Sequence, residues 1–458
     1  MLMNDRKIAD VCAVEIANRV DPCTRTFPCG KGCDMLVTNL VTGERFEGIC
    51  RDILDSGFCE VSRDTDAKHT AVIYESVRER LYVIHMTVSE ELRMIWEKKK
   101  PRRDLSGKAF DNVRVMQLGI GNYGNHPDNP LVGMGFVVRL GNGHAMIVDG
   151  GYGTEGCADN VMRALAALDI ATEDGKFIID GWYITHLDGD HVGILHPMSS
   201  KYSSSVDVRS FIHSFPVGDA ELINGSYPQI GKDYLRLMEN NFPGAEIVTA
   251  HPFDVYEYAG AKVRMIYTAE LFYSPFVKLL DGNDSSLVFA LESEGRRMIF
   301  TGDAGEVAAR AIYGVYEPSS LAAQALQLPH HGLTTGYSVF NRNITEHVFL
   351  DAFYSAVDPE LALLPMGETF NDNRWCHGNN QRKWVFENYP QDRYFLDSER
   401  SDLGYDGVNI IRKTKNGKGV LTTYLMSSDE APMVTVLSIK KDGIAVDVNE
   451  PLKKYFGI

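Results

Sequence analysis

The sequence predicts an α/β fold preceded by a small β-rich domain, and three observations carry that expectation. From about residue 108 onward, short runs of apolar and β-branched residues alternate with stretches of helical period. Three of the runs end abruptly in residues able to ligate a metal, namely His186, Asp188, Asp190 and His191, then Asp303, then His330 and His331. Ahead of residue 105 the short apolar runs are rich in β-branched and aromatic residues, as strands are.

The N-terminal part reads as separate, with strands over 70–74 and 81–85. Thr87 and Glu90 form a capping-box pattern, so a short helix is expected through Trp96. The charged, proline-broken stretch 98–103 reads as a solvated linker, with an anion-attracting patch as the alternative. Strands are expected at 113–118, 135–140 and 144–148, the last running into Asp149-Gly150-Gly151. Ala158, Val161, Met162, Leu165 and Leu168 then repeat at helical spacing. The run 179–185 reads as a buried strand that delivers the chain into its His/Asp cluster, with Trp182 and Tyr183 in the core. Further strands are expected at 286–291, 298–301, 326–328 and 361–364, with a helix over 304–313. The stretch 193–283 is expected to wall a pocket, with 273–280 near the metals. The domains expected are therefore 1–105, 106–430 and a C-terminal extension, 431–458.

Bulk properties narrow the function classes. The 458 residues include 46 Lys and Arg against 62 Asp and Glu, a net charge of −16. Long nucleic acid is an unfavourable partner for such a chain, because that grip relies on basic surfaces. A small anionic substrate stays open, since bound divalent cations dominate the field around them. The first residues contain no apolar signal-peptide core, and no run approaches the ~20 apolar residues that span a bilayer. A cytoplasmic location with reduced thiols and no membrane partner is the expectation. Six of eight cysteines (Cys12, Cys23, Cys29, Cys33, Cys50, Cys59) fall in the first 59 residues. Their spacing is not that of a zinc ribbon, and free thiols are the simpler reading.

Thr-His-Leu-Asp-Gly-Asp-His at 185–191 places four ligand-type side chains on one turn after a strand. Imidazole nitrogen and carboxylate oxygen suit Zn²⁺ and Mn²⁺. Asp-Gly-Asp is also ordinary turn chemistry, and Gly-Asp after a strand is common. What separates this chain from that background is repetition, with a third strand delivering Pro329-His330-His331-Gly332.

The order of these motifs resembles the metallo-β-lactamase superfamily, and is most similar to its ComEC-like branch, the hydrolase domain of competence-type DNA-uptake channels. The supporting segments are 185–191, Ser286–Leu291 with Met298–Gly305, Pro329–Gly332, Asp149–Gly151, Gly282–Ser286 and Asn373–Gly378. The resemblance covers about residues 110–425 and omits the channel. It implies a four-layer αββα sandwich holding two divalent metal ions, Zn²⁺ or Mn²⁺. His186 and Asp188 would bind one ion, Asp190 and His191 the other. Asp303 would bridge them, and His331 would complete the second site, with His330 either supporting the ligands or facing the substrate, and open as the alternative ligand of the pair. Asp188 stands where the common pattern has histidine, and a further histidine is missing near Asn283 or Asp284. Both changes swap nitrogen for oxygen and favour harder metals such as Mn²⁺.

The implied chemistry is hydrolysis by a hydroxide generated at the metals, since a bound cation lowers the pKa of water from about 15.7 towards about 7. Asp190 would orient the nucleophile, and His377 would donate to the leaving group or phosphate, with capping of a helix expected over 378–389 as its alternative role. A small phosphodiester or other small ester is the expected substrate. Lactone or amide hydrolysis and a non-catalytic binding role are the alternatives, because the fold alone separates none of them. Nothing in the sequence specifies the oligomeric state.

Overall fold

The structure is a computed structural model that describes residues 25–28, 33–118, 134–217, 223, 225–273, 279, 282–332, 348–365, 409–413, 419–423 and 435–447. The described strands form three sheets. Two face each other at the centre, and their strands are buried on both faces. Along Ala145–Asp149, Ala145 and Ile147 point to one cluster while Met146 and Val148 point to another. Val288–Ser293 behaves alike, with Val288 and Ala290 on one side and Phe289 and Leu291 on the other. Period-two side-chain alternation with apolar residues at both phases is what produces the continuous hydrophobic runs of the sequence.

The cluster shared by the two sheets contains Phe136, Met146, Val148 and Tyr183 from one, and Val263, Phe289, Met298 and Phe300 from the other. Helices Glu155–Ala167 and Tyr227–Asn241 cover the outer face of the first sheet through Val161, Leu165 and Met238. Helices Glu306–Val315 and Val348–Val357 cover the outer face of the second through Ile312 and Phe353. Helix, sheet, sheet, helix gives the expected four-layer αββα sandwich. The strands Thr435–Lys440 and Gly443–Asp447 join the first sheet, beside Arg114–Gln117.

Most predicted elements lie within a few residues of the observed ones, and two expectations need correction. Residues 87–96 do not form a helix. Thr87 to Glu90 is instead a hairpin turn, Glu90 adopts φ 52°, and Glu91–Lys98 is a strand paired on both sides. The Thr87 hydroxyl donates to the Ala67 carbonyl rather than capping a helix. Two ladders and apolar contacts on both faces of the strand outweigh a four-residue capping pattern. The stretch 193–283 is also mainly scaffold. It contributes Ser210–His213 and Glu246–Thr249 to the first sheet, Val255–Tyr258 and Ala261–Tyr267 to the second, and the helix Tyr227–Asn241. Tyr273 and Leu279 belong to the outer core of the second sheet.

Among the described residues, the strands of the N-terminal sheet ladder only with one another, in the order Arg25–Pro28, Cys33–Thr38, Glu91–Lys98, Glu79–Met86, His69–Glu75, Cys59–Thr65. One face packs on its own helix, Gly43–Asp55. The other face is shared: Ile73, Tyr82, Ile84 and Ile95 join the cluster that contains Ile266, Tyr267 and Ile312. Sequence periodicity shows that a strand has two apolar faces but not what covers the second one. Cys50 and Cys59 are free thiols, while Cys12, Cys23 and Cys29 lie outside the described residues.

The stretch 98–103 is a strap pinned by ion pairs rather than a free linker. Lys99 pairs with Glu75, Arg103 with Glu246, and Arg102 with Asp254 at 3.3 Å. Asp254 is buried and also accepts from the Tyr82 and Tyr256 hydroxyls. Burial pushes its carboxyl up, but Arg102 and Arg80 outweigh burial and hold it at about 2. A depressed carboxyl stabilises the fold fully above its unfolded pKa near 4 and loses that contribution as pH falls through about 2. Asp254→Ala is expected to cost about 3 kcal/mol by removing the buried partner of Arg80 and Arg102 and the acceptor of two tyrosine hydroxyls. It should also flatten the acid limb of stability between about pH 4 and 2. Urea unfolding of both proteins across that range checks this, and parallel acid limbs would refute it.

Among the described residues, no helix is long and apolar enough to cross a membrane.

Candidate metal centre

The site lies where strands of the two central sheets end. Lys176–Ile184 runs parallel to Ala145–Asp149 in one sheet, and Arg296–Phe300 runs parallel to Ala325–Gln327 in the other. Their C-terminal ends open onto one rim, where loops rather than ladders satisfy the backbone, and such ends are the usual place for ligands in α/β sheets. Residues 185–191 follow the first of these strands, Asp303 the third and His330–His331 the fourth.

The loops bring the predicted ligands together. His186, His191 and Asp303 form one group, and Asp190, His191 and His331 another, with ligand atoms in each group all within 4.8 Å of one another. Asp303 is central: Oδ1 lies 3.2 Å from His191 Nε2, and Oδ2 lies 3.4 Å from His331 Nε2 and 3.8 Å from His186 Nε2. Asp190 Oδ2 is 3.2 Å from His331 Nε2. Asp188 Oδ2 is 3.7 Å from His186 Nε2. Atoms bound about 2.1 Å from one cation lie roughly 3.0–3.5 Å apart, so these separations are near those of a common cation. His330 stands at the margin, its Nε2 3.9 Å from Asp303 Oδ2. His330 and His331 both adopt left-handed backbone angles, φ 49° and 52°. For residues with a Cβ that is strain of the kind that concentrates at functional sites. His377 lies outside the described residues.

Hydrogen bonds fix the tautomers. The Thr185 hydroxyl donates to Asp149 Oδ2 at 2.7 Å, leaving its lone pairs to accept from His186 Nδ1 at 3.1 Å. His191 Nδ1 donates to Asp149 Oδ2 at 2.8 Å, and His331 Nδ1 donates to the Pro365 carbonyl at 2.9 Å. Each ring therefore turns an Nε2 lone pair inward. His191 Nε2 and His331 Nε2 face each other at 3.2 Å. His186 Nε2 and Asp303 Oδ1 are buried without a hydrogen-bond partner among the described residues. Facing lone pairs and unpartnered buried acceptors call for a cation, and the donor set fits one or more divalent metal ions.

Electrostatics agree. Burial pushes the His331 imidazole down, but Asp303 and Asp190 outweigh it and push it up to about 10. His191 is raised well above its usual value against the same burial, chiefly by Asp303 and Asp190. Asp190, which burial alone would raise, is held at about 2 by His191 and His331. Burial keeps His330 below the ordinary imidazole value. In metal-free protein the His331 proton thus stabilises the fold fully below about pH 6.5, and that contribution is lost as pH rises through about 10. A metal must displace the proton. Divalent-metal binding is expected to release protons and to tighten by about tenfold or more between pH 6.5 and 9. Calorimetry in buffers of different ionisation enthalpy tests this, and pH-independent affinity would contradict it.

Two supporting residues carry the site without reaching its centre. Asp149 accepts from the Thr185 backbone N–H, the Thr185 hydroxyl and His191, and so ties the His/Asp turn to the neighbouring strand. Ser286 Oγ accepts from the Asp303 N–H at 3.1 Å. Both positions stand in motifs visible in the sequence, Asp149-Gly-Gly and Gly282–Ser286, yet neither announces a role until the strands are side by side. Gly302 allows the approach, since at φ 54° a Cβ would meet Thr185 at 2.8 Å. His144, His213 and His251 lie away from this centre, each buried or paired elsewhere, as with His144 on Asp180 and His251 on Glu270.

Residues 128–344 match the model of the metallo-β-lactamase superfamily. The matched segment, a little under half of the chain, is similar to that superfamily. The match spans every inward-facing ligand described above and leaves out the N-terminal sheet. Among solved structures, the metallo-β-lactamase fold protein YhfI from Bacillus subtilis is similar over 60% of this chain and 93% of its own, at 12% identity and a TM-score of 0.36. CmlA, a diiron β-hydroxylase from Streptomyces venezuelae, is similar over 58% of this chain and 45% of its own, at 10% identity and a TM-score of 0.30. No curated protein matches the sequence.

Proposed function

We propose that this protein is a metal-dependent hydrolase acting on a small phosphodiester or other small ester. The observation that carries the reading is the pair of imidazole lone pairs, His191 Nε2 and His331 Nε2, facing each other at 3.2 Å between Asp190 and Asp303. The ligands fit two divalent cations, with His186 and Asp188 on one side, Asp190, His191 and His331 on the other, and Asp303 between them. Zn²⁺ and Mn²⁺ are the ions proposed, the oxygen-rich first set favouring Mn²⁺. When bound, such ions supply Lewis acidity and lower the pKa of water.

The chain's own residues do the rest. Asp190, ionised at neutral pH, accepts a hydrogen bond from attacking water and aligns it. Asp303 and the three histidines set the spacing. His330, partly exposed beside Asp303, is placed to face the substrate. His377 is retained as the proposed donor to the leaving group. The acidic chain favours a small substrate over long nucleic acid, and a cytoplasmic setting is proposed with it.

Metal analysis of purified protein, followed by assays on bis(p-nitrophenyl) phosphate, a lactone and a β-lactam, tests the reading. The phosphodiester is expected to be the best substrate, with activity lost on chelation and restored by Mn²⁺ or Zn²⁺. Preferential lactone or β-lactam hydrolysis would move the assignment to carbon esters or amides. Full activity in Asp190→Ala would remove its catalytic role.

A further inference from the structure

Gln327 ends the strand Ala325–Gln327, is fully buried, and its side chain hydrogen-bonds to Thr301, Gly302 and Leu328 rather than to a proposed ligand. Its surroundings show an unusual division of labour. The parallel ladder with Arg296–Phe300 pairs Met298 with Ala325 and Ile299 with Leu326, and no further pair follows. Beyond that point the two chains part to form the loops that carry Asp303 and His330–His331. Their buried backbone groups still need partners, since an unpaired buried amide costs as much as a lost hydrogen bond.

The Gln327 side chain supplies them. Its Oε1 accepts from the Thr301 N–H at 2.7 Å and from the Thr301 hydroxyl at 3.0 Å. Its Nε2 donates to the Gly302 carbonyl at 3.0 Å and to the Leu328 carbonyl at 2.6 Å. The Thr301 hydroxyl also lies 2.8 Å from the Gln327 carbonyl. Gly302 is tied once more, because its carbonyl accepts from the His330 N–H at 3.2 Å. One carboxamide, with both donor and acceptor ends used, thus stands in for a peptide group and extends the ladder by side chain. It joins Thr301 and Gly302, directly before Asp303, to Leu328, directly before the Pro-His-His-Gly turn.

We infer that Gln327 is a positioning residue that sets the Asp303 carboxylate in register with His330 and His331. The inference rests on the metallohydrolase reading only for its consequence, which is metal affinity. The amide chemistry is required as well as the length, because a side chain of similar size without both functions takes the side-chain partner from the Thr301 N–H and the Leu328 carbonyl, and one of two donors from the Gly302 carbonyl.

The test compares Gln327→Leu with wild type and with Leu326→Ala, a substitution one residue earlier that empties core volume without touching these hydrogen bonds. Each protein is stripped of metal and titrated with Mn²⁺ and Zn²⁺, and crystal structures of the metal-free forms are compared. Gln327→Leu is expected to weaken metal binding about 10–100-fold, the range for residues that orient ligands. Leu326→Ala should lower the melting temperature while leaving the metal Kd unchanged. In crystals, residues 301–303 of Gln327→Leu should be displaced by about 1 Å or more, enough to spoil ligand geometry. Wild-type affinity in Gln327→Leu, or equal weakening in Leu326→Ala, overturns the inference. If Gln327→Leu does not fold, Gln327→Asn, which keeps the amide but is too short to reach, is read by the same criteria. If wild type binds neither ion, the metallohydrolase reading falls, and the position of Asp303 in the metal-free crystals still decides the role of Gln327.

Discussion

His191→Ala should strip the protein of bound metal and of hydrolytic activity together. His191 is the one residue common to both ligand groups, and its ring lies between Asp149 and Asp303. Removing it takes the Nε2 ligand from the ion it shares with Asp190, and takes away the ring packed between Asp303 and His186. The loss of affinity should exceed the roughly 10–100-fold that follows loss of a residue supporting a ligand. A second consequence appears without metal. Buried Asp149 would then lose its imidazole partner, and Asp303 and Asp190 would keep His331 as the nearest imidazole. Leaving buried charge unpaired costs about 3–5 kcal/mol. Metal content by mass spectrometry and urea unfolding of chelator-treated protein read the two effects separately. An unchanged metal content would place the centre elsewhere. An unchanged metal-free stability would mean that the carboxylates are better solvated than the structure shows.

Asp149→Ala should come next in size, through a different route. Asp149 binds no proposed ion, yet both of its carboxylate oxygens are used, by Thr185 and by His191 Nδ1. Its backbone sits at φ 50°, which aspartate tolerates better than alanine does. Alanine would leave the Thr185 N–H unpaired, let the His191 ring turn, and add backbone strain. A metal affinity lower by about 10–100-fold is expected, with a stability loss of about 3 kcal/mol. Asp149→Asn separates the two effects, because asparagine keeps the backbone angle but turns an N–H towards a donor. It should retain most stability and lose much of the affinity. If Asp149→Asn binds metal like wild type, the carboxylate does not set the His191 tautomer.

These two residues also mark how far the sequence could be read. His191 was legible because four ligand-type side chains on one turn have no common structural explanation. Asp149 stood in a recognisable Asp-Gly-Gly, but its role depends on Thr185 and His191, 36 and 42 residues away, arriving beside it. Gln327 gave no signal at all, since a single glutamine in an apolar run has no pattern of its own. The helix expected over 87–96 failed for a related reason. Thr87 and Glu90 satisfy a local rule, while the pairing of Glu91–Lys98 with two other strands is settled by chains more than fifty residues apart at one edge.

Local chemistry in the sequence therefore determined the layered α/β class, the strand ends that bear ligand-type side chains, and most of the His/Asp set that the structure brings together. Those features follow from side-chain period and ligand type, which neighbouring residues express without help from the rest of the chain. The tertiary structure decided what stands behind the ligands: which imidazole nitrogen faces inward, which carboxylate lies between the histidines, and that the N-terminal sheet shares its core with the helices of the second sheet. Hydrogen bonds between distant strands and the covering of a second apolar face are contacts across space, and no local pattern in one chain encodes their partners.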